Sequence, residues 1–498
     1  MNESSTVPET RIRRFNEATV RGDGSFVLYW MTANRRLDWN FALQRAIDWS
    51  QELAKPLVIF EPLRVDYPWA SDRFHRFVMD GMLDSSRRLE PSPIVYYPWV
   101  EPTAGEGREI LRQLAGMAAV VVTDDSPMFF YPGMVAAAGG SLDVLLEGID
   151  SVGLLPFRST ERDFPSAYSF RRFLQKELPP HLEAFPRSNP TADVSLARLT
   201  DGLTELVPGF RPASLEGLTD PAALSGLPID HSVAALPLTG GADAARERLT
   251  RFVAELLPEY GEQRNHPDAE HTSGLSAYLH FGHISSHEVF ATIAAEQMWT
   301  SARLANATSG ARQGWWGMPA SSEGFLDQLV TWRELGLNMC YHRIDYAEYS
   351  SLPDWALATL DAHRGDERPY LYSRAEFETA ATHDQIWNAA QSQLVTEGRM
   401  HNYLRMLWGK KVLEWSPSPE DALDTMIELN NKYALDGRDA NSYSGIFWVL
   451  GRYDRAWGPE RPVFGKVRCM TSANTARKLR LKKYLRTHTP RHRQEATT

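Results

Sequence analysis

Cysteine, membrane-length apolar runs and nucleotide-loop glycines are scarce or missing in this chain, and each scarcity excludes something. Two cysteines in 498 residues, Cys340 and Cys469, cannot build a disulfide framework or a four-thiolate metal site, which fits a reducing compartment. No run of about 18 uncharged apolar residues occurs, so no membrane-spanning helix is expected. The opening MNESSTVPETRIRRFNE lacks the apolar stretch of a secretory leader, and a cytoplasmic location is expected. No HExxH or paired CxxC accompanies His280, His283, His287, His383 or His401, so no metal site is expected and most of those rings are assigned core or capping roles. No GxGxxG follows the first apolar run, so the standard dinucleotide fingerprint is absent.

What remains is ordinary globular composition, 43% hydrophobic and 23% charged, in a chain long enough for about two to four domains. The net charge of −10 argues against a nucleic-acid binder, but it is unevenly spread. Eleven Lys or Arg and no acid fall between Arg461 and Arg493, a basic end on an acidic body. Such an end suits a phosphate-facing surface; a solvated helical tail fits the charge equally well.

Residues 25–175 read as α/β. The apolar runs SFVLYWM (25–31), LVIFE (57–61), PIVYY (93–97), AAVVVTDD (118–125) and LDVLLEG (142–148) alternate with amphipathic stretches such as 39–53 and 74–89. Five strands alternating with helices predict a doubly wound parallel sheet. Nine prolines between 176 and 241 mark a connector laid over the surface. From Ala242 the pattern is helical. The expected organisation is an N-terminal extension (1–24), the α/β domain (25–175), the proline-rich linker (176–241), an all-α domain (242–487) and a tail without order (488–498).

Three features of the helical part carry chemistry. Trp408 and Trp415 are seven residues apart, two turns along one helix face, and Trp387 opens the preceding WNAAQSQLV segment. Such rings can pass an electron in short hops, although a heptad-spaced pair is also what a helix core shows. Asn402 and Arg405 precede Trp408, and Asp436, Arg438 and Asn441 cluster in LDGRDANSYSG. A bidentate Arg405–Asp436 pair would present polar atoms to a planar heterocycle. In HTSGLSAYLHFG (271–282), hydroxyls precede an apolar helix, an arrangement suited either to phosphate or to plain capping.

Six segments, YGEQRNHP (260–267), LSAYLHFGHISS (275–286), THDQIWNAAQ (382–391), HNYLRMLWGKKVLEW (401–415), LDGRDANSYSGIFW (435–448) and YDRAWGPERPVFGKVRCM (453–470), together resemble the photolyase/cryptochrome family, most nearly its class II cyclobutane pyrimidine dimer photolyases. The resemblance implies an α/β antenna-type domain followed by an all-α domain that binds FAD, and light-driven repair of ultraviolet-damaged DNA by a monomer. It implies that Tyr260, Arg264, Thr272, Ser273, Gly274, Leu275, Ser276, Arg405, Asp436, Arg438 and Asn441 hold the cofactor and that Asn430 faces the flavin. It implies an electron relay through Trp408, Trp387 and Trp415. A damaged-base site would be walled by Trp332, Trp448 and Met406, with Asn402 beside it, and the basic segment would hold DNA. Whether the α/β part carries an antenna pigment, deazaflavin or folate, stays open.

One position departs from the family pattern. Class II enzymes usually carry a glutamate four residues before the tryptophan matching Trp332; here it is Gln328. Glutamine donates an amide hydrogen bond but cannot deliver a proton. Asp327 is adjacent, yet on a helix it points about 100° away. Repair of cyclobutane dimers is therefore the leading expectation. A cryptochrome-like photoreceptor, repair of (6-4) lesions and dark flavin redox chemistry are the alternatives.

Overall fold

A computed structural model describes residues 7–490, except 193, 201–206, 208 and 210. The chain forms two compact units, each assembled from separated stretches. The first comprises residues 1–160, 177–251 and 274–301; the second comprises 161–176, 252–273 and 302–498. The units therefore do not follow the linear composition changes of the sequence. Helix Ala242–Arg251 and helix Ser286–Glu296 belong with the sheet, whereas 161–176 belongs with the later helices.

The first unit is built on six strands: β1 (Ile12–Arg14), β2 (Phe26–Trp30), β3 (Leu57–Leu63), β4 (Val95–Val100), β5 (Ala118–Asp124) and β6 (Leu146–Ile149), in the order β1-β6-β5-β2-β3-β4. Strands β2 to β6 are parallel, as expected, and the order reverses between β2 and β5, as in doubly wound folds. The sixth strand is a correction. It lies in the stretch expected to be an extension and pairs antiparallel with β6, Ile12 opposite Ile149 and Arg14 opposite Glu147. The last parallel strand also starts later than LDVLLEG suggested, at Leu146.

Alternation along the strands fills both faces. Phe26, Leu28, Trp30, Val58 and Phe60 pack with Ile110 and Leu114 on one side. Val27, Tyr29, Leu57 and Ile59 pack with Phe41, Leu43 and Ile47 on the other. The proline-rich stretch is laid over this unit through short capped turns. Ser214 caps Leu215–Thr219, Asp220 caps Pro221–Leu224, and Leu218 and Leu224 pack on Val78, Met79 and Met82. His283 is fully buried, accepts the Gly241 N–H at 2.9 Å and stacks on Phe77, a core role.

Among the described residues, the regular elements of the second unit are all helices. Its centre is the run Gln385–Glu397, Asn402–Trp415, Pro419–Tyr433 and Ala440–Val449. Asp384 caps the first of these by accepting the Ile386 and Trp387 N–H groups, and Ser418 caps the third. The carboxyl-terminal helix Lys482–His488 docks through buried Tyr484, whose hydroxyl donates to Gln393 Oε1 at 2.9 Å, while Asp268 accepts the Lys483 and Tyr484 N–H groups. The tail expected from 488 starts later than that, since His488 closes this helix; positions 491–498, and with them Arg491 and Arg493, lie outside the described residues. Among those described, no helix is long and apolar enough to cross a membrane.

Candidate active site

Helix Asn402–Trp415 organises the second unit's chemistry. Arg405 uses Nη2 alone to reach Asp436, at 3.0 and 3.3 Å from the two carboxylate oxygens. Both side chains are about one-fifth exposed, and Arg405 Nε and Nη1 have no partner among the described residues. Asn430 is buried; its amide donates to Ser442 Oγ at 2.7 Å and to Asn431 Oδ1 at 3.2 Å, leaving its own carbonyl oxygen without a partner among the described residues. Asn431 in turn donates to the Tyr443 hydroxyl and accepts the Arg438 backbone N–H. Arg438, at φ 64° and fully buried, directs its guanidinium to the Asn431 carbonyl, and Asn441 spends its N–H on the capping Asp439. Arg438 thus braces the loop that carries Asp436.

Tryptophan geometry differs from the heptad picture. Trp387 lies between the other two: its ring is stacked on Trp408 at 6.4 Å and 8°, and meets Trp415 edge-on at 6.1 Å. Two indole hydrogen bonds fix the order, Trp387 Nε1 to the Trp408 carbonyl at 3.0 Å and Trp408 Nε1 to Gln391 Oε1 at 2.9 Å. All three rings are buried.

Tyr260 is buried beside one cation. The Arg264 guanidinium lies 5.4 Å over the Tyr260 ring. His401, one residue before the central helix, is held down to about 4 by burial, against a hydrogen bond that its ring gives to the Arg264 backbone carbonyl and that favours its charged form. In the hydroxyl-rich turn, the short helix Ser276–His280 starts from Leu275 with no side-chain cap, so Thr272, Ser273 and Ser276 are not consumed as caps. Gly274 sits at φ 67°, and the Arg248 guanidinium fills the space a side chain would need there. Within the second unit, the Asn430 amide oxygen, which meets no described residue, and the half-used Arg405–Asp436 pair suit a polar heterocycle edge, and these residues fit the ring of FAD.

Gln328 and Trp332 share a π-helical segment, Asp327–Trp332, a rare geometry that often marks functional sites. Asp327 is turned away and buried against Arg171, at 2.8 Å from Nε and 2.7 Å from Nη2. The Gln328 side chain makes no hydrogen bond to the described residues. Trp332 packs edge-on to Tyr453 at 6.5 Å, and both Trp332 and Trp448 are half-buried. The two rings are on different elements and do not touch. Met406 is half-buried and Asn402 exposed on the central helix.

Sequence reasoning missed Lys410. Its Nζ is buried, donates to the Val449 carbonyl and lies 5.0 Å over the Trp448 ring. The signal was present: Lys410 falls three residues after Leu407 and three before Leu413, on the apolar face.

The fold also occurs in solved structures. A bacterial class III photolyase from Agrobacterium tumefaciens matches with a TM-score of 0.64 at 18% identity, covering 93% of this chain and 86% of that one. A Synechocystis cryptochrome matches with a TM-score of 0.61 at 14% identity, covering 93% and 88%. No family profile matches the chain. Among curated proteins, the deoxyribodipyrimidine photo-lyase of Methanothermobacter thermautotrophicus is 34% identical over 476 residues, 95% of this chain and 97% of that one. The enzymes of that name from Oryza sativa and Potorous tridactylus are 33% and 29% identical, each covered over 87% of its length. The chain belongs to the deoxyribodipyrimidine photo-lyase family.

Proposed function

We propose that this protein is a deoxyribodipyrimidine photo-lyase that uses light to split cyclobutane pyrimidine dimers in DNA. The observation that carries the reading is the convergence on one helix of an arginine paired to Asp436 and an indole stacked on a second indole. Tyr260, Arg264, Thr272, Ser273, Gly274, Leu275 and Ser276 would hold the dinucleotide part of FAD, and Arg405, Asp436, Asn430 and Asn441 its ring. When bound and reduced, FAD supplies one electron to the dimer on absorbing blue or near-ultraviolet light.

The chain's own residues do the rest. Arg405 and Asp436 fix the orientation of the heterocycle edge, and the Asn430 oxygen accepts from it. Trp415, Trp387 and Trp408 form a path of ring contacts along which an electron reaches the cofactor site from the protein. Trp332 and Trp448 stack on bases drawn out of the duplex, at about 1–3 kcal/mol per base, which offsets an extrusion cost of a few kcal/mol that is lowest for damaged bases. Gln328 donates an amide N–H toward a pyrimidine carbonyl but brings no proton. In the basic segment Lys466, Arg468 and Lys483 are spent on Glu460, Asp454 and Glu270. Arg477, Lys478, Arg480, Lys482 and Arg486 are exposed with no ion pair among the described residues, and these would meet phosphates.

Illumination of the reduced protein with an oligonucleotide containing one dimer tests the reading. Restored pyrimidines are expected; dimer unchanged after prolonged blue light, with the flavin verified as reduced, refutes it. Gln328 favours one second reading, a cryptochrome-like photoreceptor, which undiminished dimer binding with no repair would identify. An absorption spectrum of the purified protein reports flavin and any antenna pigment together.

A further inference from the structure

Lys410 is an expensive residue where it stands. Its ammonium has no contact with water, and a buried lysine without strong compensation is costly. Gly409 beside it brings helix Asn402–Trp415 against helix Ala440–Val449 so closely that a side chain there would lie 2.5 Å from Val449 Cγ2 and 3.0 Å from Met426 Sδ. Through that contact Lys410 reaches the end of the second helix. It donates to the Val449 carbonyl, one of the last-turn groups that no helical N–H can satisfy, where a cation also complements the helix dipole. The same Nζ lies over the Trp448 indole at 5.0 Å. A methionine would fill this volume without the desolvation cost, so the packing alone does not call for an amine.

We infer that Lys410 is a positioning residue for damaged-base stacking: its ammonium pins the Trp448 ring from behind, and protonation of Lys410 sets how firmly Trp448 holds an extruded pyrimidine pair. This rests on reading Trp448 as a wall of the damaged-base site. The charged groups that bear on Lys410 are Asp454, which favours its ammonium, and Arg468, which opposes it and itself lies 5.4 Å from the Trp448 ring; Cys469 contributes weakly. Burial outweighs Asp454 and brings Lys410 down to about 7, so its charge changes near neutrality. Below that pH the cation–ring attraction is present. Above it the amine keeps one N–H on the Val449 carbonyl but no longer attracts the indole.

The test is dark equilibrium binding of the holoenzyme to a duplex with one dimer and to the same duplex undamaged, across neutrality. The wild-type damaged-to-undamaged affinity ratio is expected to fall by about five- to twentyfold as pH rises past 7. Lys410→Met is expected to show the low ratio at every pH, and Lys410→Arg, charged throughout, the high ratio at every pH. A wild-type ratio independent of pH overturns the proposal, whether or not the variants fold; so does Lys410→Met with a wild-type ratio. Trp448→Ala separates the two readings: if it leaves damaged binding unchanged, the base-stacking reading of Trp448 itself fails. If it weakens damaged binding while Lys410→Met does not, only the role of Lys410 fails.

Discussion

At position 328 an amide replaces a carboxyl, and the difference is one transferable proton. The Gln328 side chain has no hydrogen bond to the described residues, so its amide is not consumed by the fold. Gln328→Glu is expected to raise the repair quantum yield with little change in dark binding. Gln328→Leu, which removes the donor altogether, is expected to lower repair by about 10²–10³-fold. Both are read by counting dimers split per absorbed photon beside dark affinities. Trp332→Ala should weaken binding of damaged duplex by about 1–3 kcal/mol and leave undamaged binding nearly unchanged, measured by titration in the dark. At this scale the sequence was informative about residue identity and poor about contacts. Arg405 and Asp436 are paired, but through one guanidinium nitrogen rather than the two-pronged contact their types suggested. That Trp387 lies between Trp408 and Trp415, and that Arg438 braces Asn431, depends on how separate helices meet, which no local pattern contains.

Elements are where the physics of packing decides. The π-helical segment Asp327–Trp332 carries both Gln328 and Trp332, and its first residue is locked to Arg171 in a buried ion pair. Asp327→Ala leaves the Arg171 guanidinium buried without its partner and is expected to cost about 3–5 kcal/mol in denaturant unfolding. Gly409→Ala forces a methyl into the crossing of two helices and is expected to cost about 1–3 kcal/mol by the same measurement. Alternation of apolar runs and amphipathic stretches made all five parallel strands legible. Ile12–Arg14 was not, because IRR has one apolar residue, and its strand character comes from the edge it joins rather than from its own composition. The π segment was equally hidden, since FLDQLVTW reads as ordinary helix.

Over the whole molecule, buried histidines set the response to acid. His75 and His401 are held near 4 and His283 near 3, each by burial, against an ordinary value of 6.5. Their neutral forms are favoured in the fold, so stability from them is complete above about 6.5. Below that the unfolded chain takes up protons that the folded one refuses, and stability falls. Asp125, raised to about 6 by burial, binds its proton more readily when folded and offsets one of the three. The melting temperature is therefore expected to drop as pH goes from 6.5 to 5; a flat profile over that interval contradicts the assignment. The division into two units was the least legible property of the chain. Proline content marked the connector, but which unit helix Ala242–Arg251 joins is decided by long-range packing. There Arg246 pairs with Asp38 and Glu288, and no composition window reports that.

The three-residue strand at the sheet's margin has a practical corollary. By pairing with β6 it occupies backbone donors and acceptors that would otherwise line an open border beside Leu146 and Ile149. A version trimmed through Arg14 would offer that border to any extended peptide, including its own siblings. It should sediment as concentration-dependent aggregates while keeping every side chain named in the photochemistry, so shelf life and catalysis would part company.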